Sequence, residues 1–309
     1  MIRYAILFPG QGSQTVGMAG DLLTARPDLL GSRADELLGW DLEATITDGP
    51  EEVLTSTDRA QPALYAVSYA LWEEFRAAVT VPPRAAAGHS LGEYTALTAA
   101  GVVDYWEGLR LVAARGAAMS HAANAEPSGM AALVGADLDS AEVISAARNA
   151  EGGRLSVANI NAPGQVVVAG GAEDIAWLGE HADQFGLRRV VPLKVAGAFH
   201  SPFMHAAADE LADAVAATTF TAPQFPVYAN ATARPVTDPG ATLVEQLVSP
   251  VRFAESLQNM AADGIDAFVH IGPGDVTAGL ARRTVSGAQV VVVSSIDSID
   301  AAAAELSIQ

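Results

Sequence analysis

Residues 85–94 read AAAGHSLGEY, and this stretch constrains the fold more than any other. The small apolar run suits a buried strand, and LGEYTALTAAG continues as an uninterrupted helical pattern that stops at Gly101. Between the two the chain must reverse within a few residues, and Gly88 and Gly92 stand two positions either side of Ser90. Strand, sharp turn and helix in that order belong to an α/β core with a largely parallel sheet. A G-x-S-x-G turn of this kind holds its serine out at the end of the sheet, as a nucleophile is held. In a chain with 28 glycines the pattern arises by chance in roughly one case in seven. The competing reading is a serine that only caps the helix.

Other segments agree with such a core. RYAILF reads as a strand that ends at Pro9-Gly10 and runs into the loop FPGQGSQ. Residues 61–79 have helical spacing through Leu64, Val67, Leu71 and Phe75, and Pro82-Pro83 stops them. Asp104 is placed to cap the helix that follows it. Over 127–195 the texture changes to strand, helix, two strands separated by NAPG, helix, strand. That βαββαβ order is that of a ferredoxin-like module. The expected organisation is a discontinuous core, 1–126 and 196–309, with residues 127–195 inserted as a subdomain.

Composition excludes several functions. The chain has no cysteine, so disulfides, thiolate metal sites and a cysteine nucleophile are ruled out. A formal charge of −19 argues against general nucleic-acid binding, and no apolar run reaches the length of a membrane helix. A cytoplasmic protein is the expectation, and no metal or redox cofactor is expected. Lys194 is the single lysine, beside 16 arginines, a pattern we read as compositional bias.

A serine nucleophile needs a base. Of six histidines, His200 stands out because it lies in AGAFHSP, where Ser201 and Pro202 can start a helix. A strand-to-helix loop projects its side chains over a strand-end site, and the helix N-terminus disfavours imidazolium. A structural histidine is the alternative. Asp104, Asp137, Asp139 and Asp174 each have a simpler role as a cap or in a solvated turn, so no third acid is evident and a dyad is admissible. Arg115 has Leu111, Val112, Ala118 and Met119 at helical spacing and no acid in reach. Its head either snorkels to water or meets a carboxylate from elsewhere, which a substrate could supply. The loop FPGQGSQ lacks the third glycine of a dinucleotide motif and the lysine of a phosphate-binding loop. The Gln11 amide could still serve as an oxyanion donor beside that of Leu91.

FPGQGSQ, QPAL at 61–64, GHSLGEY at 88–94, Arg115 in AARGAAM, NAPGQVVVAG at 161–170, GAFHSP at 197–202 and IGPG at 271–274 occur in that order. Together they resemble the malonyl-CoA:acyl carrier protein transacylases, and the resemblance spans essentially the whole chain. It implies an α/β-hydrolase-like core with a ferredoxin-like insertion. It also implies a ping-pong acyl transfer in which Ser90 carries malonyl and His200 is the base. Arg115 would bind the free carboxylate, and the Gln11 and Leu91 amides would form the oxyanion hole. The Gln246 carbonyl would orient His200, which accounts for the absent acid. Gln61, His89, Asn161 and Phe199 would line the pocket, with Phe199 crowding an α-methyl group. That favours malonyl by only about 1–3 kcal/mol per methyl. The implied partner is an acidic acyl carrier protein, which an acidic protein must engage through local cations. Arg188, Arg189 and Lys194 form one candidate cluster and Arg282-Arg283 another, although a solvated face is the plain reading of each. The protein itself is expected to be monomeric. A thioesterase, an acyltransferase for another extender such as methylmalonyl-CoA and a non-catalytic binding protein remain as alternatives.

Overall fold

The computed structural model describes residues 2–307. Strand β1, Tyr4–Phe8, is buried at every position and leads to a series of short helices between residues 22 and 55. Helix α1 then spans Thr57–Ala78. It starts a turn earlier than the Gln61 expected from the sequence. Pro62, which looks like a helix start, sits inside the helix after an extended Ser56. β2 is Ala85–Gly88, α2 Gly92–Ala99 and α3 Tyr105–Ala125, and Asp104 caps α3 by accepting from Trp106 N and Glu107 N.

The middle segment holds β3 (Ser128–Val134), α4 (Leu138–Ala150), β4 (Ser156–Ala162), β5 (Gln165–Gly171), α5 (Ala172–His181) and β6 (Arg189–Pro192). The last strand expected over 187–195 stops at Pro192, which leaves Lys194 beyond it. The chain returns through α6 (His205–Ala216), β7 (Val227–Tyr228), α7 (Pro239–Glu245), α8 (Phe253–Ala262), β8 (Ala267–Ile271), α9 (Val276–Thr284), β9 (Gln289–Val293) and α10 (Ile299–Ser307).

The strands form two sheets. The first runs β7-β2-β1-β8-β9, all parallel, with its central strands fully buried. Continuous apolar strands such as YAILF are what a sheet covered on both faces requires. The second runs β4-β5-β3-β6 and is antiparallel. Alternation along β5 explains its unbroken run of valines. Val166 and Val168 pack with Ala141, Ile144 and Leu178 under the segment's own helices, whereas Val167 and Ala169 join the main core. Backbone bonds then tie β4 to the core, Ile160 N to Val251 O at 2.8 Å and Val251 N to Ala158 O at 2.8 Å. No helix among the described residues is long and apolar enough to cross a membrane.

Candidate active site

The turn after β2 allows little choice of residue. A Cβ on Gly88 would lie 1.8 Å from the Gly92 carbonyl carbon, and one on Gly92 would lie 2.3 Å from Phe8 O. The turn therefore folds tightly on itself and on the end of β1. Ser90 is held at φ 51°, in the left-handed region that ordinary side chains avoid. His200 is held the same way, at φ 57°. Among the described residues only Ala233 joins them as a positive-φ residue other than glycine. Such strain collects where surrounding structure over-determines a side chain's direction.

These two backbones bring Ser90 Oγ to 2.7 Å from His200 Nε2. On its far side His200 Nδ1 lies 2.9 Å from the main-chain O of Gln246. A carbonyl only accepts, so Nδ1 carries the hydrogen and the lone pair of Nε2 faces the serine hydroxyl. Burial, reinforced by the nearby Arg115 cation, pushes the imidazole down to about 3, so it is neutral at any working pH. Among the described residues no carboxylate touches it. Asp104 and Asp137 cap helices, and Asp174 binds Arg148 Nε at 2.7 Å.

Arg115 is buried, with 1% of its surface exposed, which excludes a snorkelling head. Its Nη1 donates to Gln61 Oε1 at 2.7 Å, and its Nη2 donates to Ser90 Oγ at 3.0 Å and to Gln246 Oε1 at 2.9 Å. Every acceptor is neutral, and Nε has no hydrogen-bond partner among the described residues. A buried guanidinium with no ion-paired carboxylate is an electrostatic deficit that an anionic ligand can fill.

A cavity of about 210 Å³ opens onto this constellation, lined by Gln11, Gln61, His89, Ser90, Asn161, Phe199 and His200. The inserted segment supplies another wall, including Asn159, Gln165 and Val167. His89 turns away from the serine–histidine pair and places Nε2 2.7 Å from Asn161 Oδ1. The amide N–H groups of Gln11 and Leu91 donate to no protein group among the described residues. A larger groove of about 950 Å³ around Trp72, Arg76 and Pro82 contains none of these groups, so chemistry rather than volume selects the site. Among the described residues no three His, Cys, Asp or Glu side chains converge as a metal site requires.

The sequence did not reveal a layer of side chains behind Ser90. Asn230 accepts from Ser90 N at 2.7 Å and donates to Gly88 O at 2.7 Å, continuing beyond β7 the pairing that β2 has lost. Gln246 contributes its side chain as well as its carbonyl, donating to Ser90 O at 3.0 Å and to Glu93 Oε2 at 2.6 Å. Glu93 was visible as the one acidic side chain in the helix LGEYTALTAAG. Asn230 in VYANAT carried no such signal.

The two cation clusters that are far apart in sequence approach each other at one end of the antiparallel sheet. Gln165 and Arg189 both stand opposite Val134, one on each side, and Arg283 Nη1 donates to Gln165 Oε1 at 2.7 Å. Arg188 packs against Gly135, and Lys194 is exposed beside Leu193 at the cavity mouth. Arg282 instead turns toward Val290 O.

Comparison with known proteins was consistent with this geometry. A family model described as an acyl transferase domain matches residues 6–300. The malonyl CoA-acyl carrier protein transacylase of Escherichia coli K12 is 40% identical over 314 aligned residues, covering 100% of both chains. The solved malonyl CoA-acyl carrier protein transacylase of Coxiella burnetii superposes with a TM-score of 0.93 at 32% identity, over 99% of this chain and 98% of that one. A malonyl-transacylase solved in complex with a type II polyketide acyl-carrier protein gives a TM-score of 0.93 at 37% identity, over 98% and 99%.

Proposed function

The chain belongs to the acyl transferase domain family, and from that premise we propose that it moves a malonyl group from malonyl-CoA to the phosphopantetheine thiol of an acyl carrier protein. The observation that carries this reading is the buried Arg115 guanidinium in contact with Ser90 Oγ at 3.0 Å. A cation fixed beside the nucleophile selects an acyl group that carries its own carboxylate.

In this reading His200 Nε2 takes the Ser90 proton as Oγ attacks the thioester carbonyl. The Gln11 and Leu91 amides hold the oxyanion. Collapse expels the coenzyme A thiolate, which receives the proton from His200, and leaves malonyl-Ser90. The carrier thiol then gives its proton to His200 and attacks the ester, and Ser90 recovers its proton as it departs. One thioester is exchanged for another, so the cycle is complete without a metal or redox cofactor. The Gln246 carbonyl takes the orienting role that a carboxylate has in a triad. Phe199 narrows the cavity against a branched acyl group, with His89 and Asn161 shaping the opposite wall. We further read the core as α/β-hydrolase-like and residues 127–195 as a ferredoxin-like subdomain, in a cytoplasmic monomer.

Mass spectrometry of the intact protein after mixing with malonyl-CoA tests the assignment. An added malonyl mass that disappears when carrier protein is supplied is expected. Release of free malonate with neither adduct nor transfer would instead identify a thioesterase.

Docking needs local cations, because an acidic carrier and a chain of formal charge −19 repel at long range. Arg188, Arg189, Lys194, Arg282 and Arg283 are the residues we assign to it, beside the exposed apolar Leu193 and Val276 of the cavity mouth. Reversing charge in an R188E/R189E double variant should raise the KM for carrier protein by about tenfold while malonyl-Ser90 forms at close to the wild-type rate. Steady-state kinetics with each substrate varied in turn would separate the two effects.

A further inference from the structure

Glu93, in the first turn of α2, is completely buried under Ser90. Its Oε2 accepts from Gln246 Nε2 at 2.6 Å and from Asn230 N at 3.0 Å, and its Oε1 has no partner among the described residues. The two amide residues it holds are also fully buried, and between them they bond to Ser90, His200 and Arg115. Asn230 fixes the Ser90 N–H, and Gln246 fixes the Ser90 carbonyl, the His200 Nδ1 hydrogen and Arg115 Nη2. The Gln246 amide can sit only one way round, since the Ser90 carbonyl only accepts and Arg115 only donates. We propose that the Glu93 carboxylate is a positioning residue for acyl transfer, acting through Gln246 and Asn230 on Ser90, His200 and Arg115 at once.

The charge matters as well as the shape. Hydrogen bonds to an ionised acceptor are stronger than neutral ones, and Glu93 is the carboxylate whose field reaches Arg115 in the core. The charged or titratable groups around it are Arg115 from α3, Tyr94 beside it on α2 and, beyond Gln246, His200. Burial raises the Glu93 carboxyl to about 7 against the lowering pull of Gln246, Asn230 and Arg115. On protonation the hydrogen goes to the unpartnered Oε1. The bonds to Gln246 and Asn230 then survive as neutral ones, the state that a Glu93→Gln variant imitates. Acidification through about pH 7 should therefore carry the wild type toward the variant.

The test is the single-turnover rate of Ser90 malonylation across pH from about 5.5 to 8.5, in wild type and in Glu93→Gln. Wild type should lose rate as pH falls through the Glu93 titration. The variant should be about tenfold slower at the alkaline end, lack that limb and converge with wild type at the acid end. His200 titrates far lower in the free protein, and a limb of its own would persist in Glu93→Gln, so loss of the limb in that variant assigns it to Glu93. A variant at the wild-type rate, one that keeps the limb, or one altered only in KM would overturn the proposal. If Glu93→Gln does not fold, Glu93→Asp keeps the charge on a shorter arm. It should keep a limb and lose rate, and a wild-type rate in it would be equally fatal. The inference rests on malonyl transfer only for its substrate. Labelling of Ser90 by phenylmethanesulfonyl fluoride should show the same wild-type limb and the same loss of it, so the two readings can fail separately.

Discussion

Replacing His200 with alanine should slow formation of malonyl-Ser90 by about a thousandfold to ten-thousandfold and leave malonyl-CoA binding nearly unchanged. In the folded protein Ser90 Oγ has two polar neighbours, the His200 ring at 2.7 Å and the Arg115 guanidinium at 3.0 Å. Arg115 only donates, so without the imidazole nothing at the serine can take its proton. Rapid-quench acylation with intact-mass detection would measure the loss, and a fall of less than tenfold would remove His200 from the role of base. The same substitution has a stability signature with a definite sign. The folded-state value of about 3 lies below that of an unfolded histidine, so the unfolded chain takes up the proton first. The stability tied to neutral His200 is fully present above about pH 6.5 and is lost as pH falls toward 3. The alanine variant should therefore unfold less steeply in acid across that window.

The readable part of this site in the sequence was the part fixed by local backbone. Ser90 announces itself because Gly88 and Gly92 must be glycine where two chain segments nearly touch. His200 does so because Ser201 and Pro202 mark the helix start beside it. The two-sheet fold was legible for the same reason, as periodicity and turn residues reveal strands and helices without knowledge of their partners. Burial was harder to read. The sequence left the Arg115 head either snorkelling or paired because helical spacing reports only its own helix, whereas Gln61, Gln246 and Tyr94 approach it from elsewhere. Asn230 and the Gln246 side chain act across more than 130 residues of chain, a separation at which no spacing rule operates. The approach of Arg189 to Arg283 depends on strand register, which is set only once both elements have folded onto the core.

Arg115→Ala should lower kcat/KM for malonyl-CoA by about a hundredfold or more and change that for acetyl-CoA by less than about tenfold. Each tenfold corresponds to about 1.4 kcal/mol, so the malonyl loss matches the removal of one charge-assisted, water-excluded carboxylate pair. Acetyl-CoA has no carboxylate to lose. Its acylation could even rise, because the guanidinium is one of the two main causes holding the His200 ring below its ordinary basicity. That second effect also bears on the normal substrate. In the proposed reaction a malonyl carboxylate drawn onto Arg115 would offset the cation, let the base recover strength, and take Nη2 away from Ser90 Oγ. Binding and activation would then come from one ion pair, which an acetyl group cannot form. Competition kinetics with the two thioesters would decide the matter. Equal losses for both would make Arg115 a structural support for Gln61 and Gln246, and the preference for a carboxylated acyl group would have to come from the walls of the cavity.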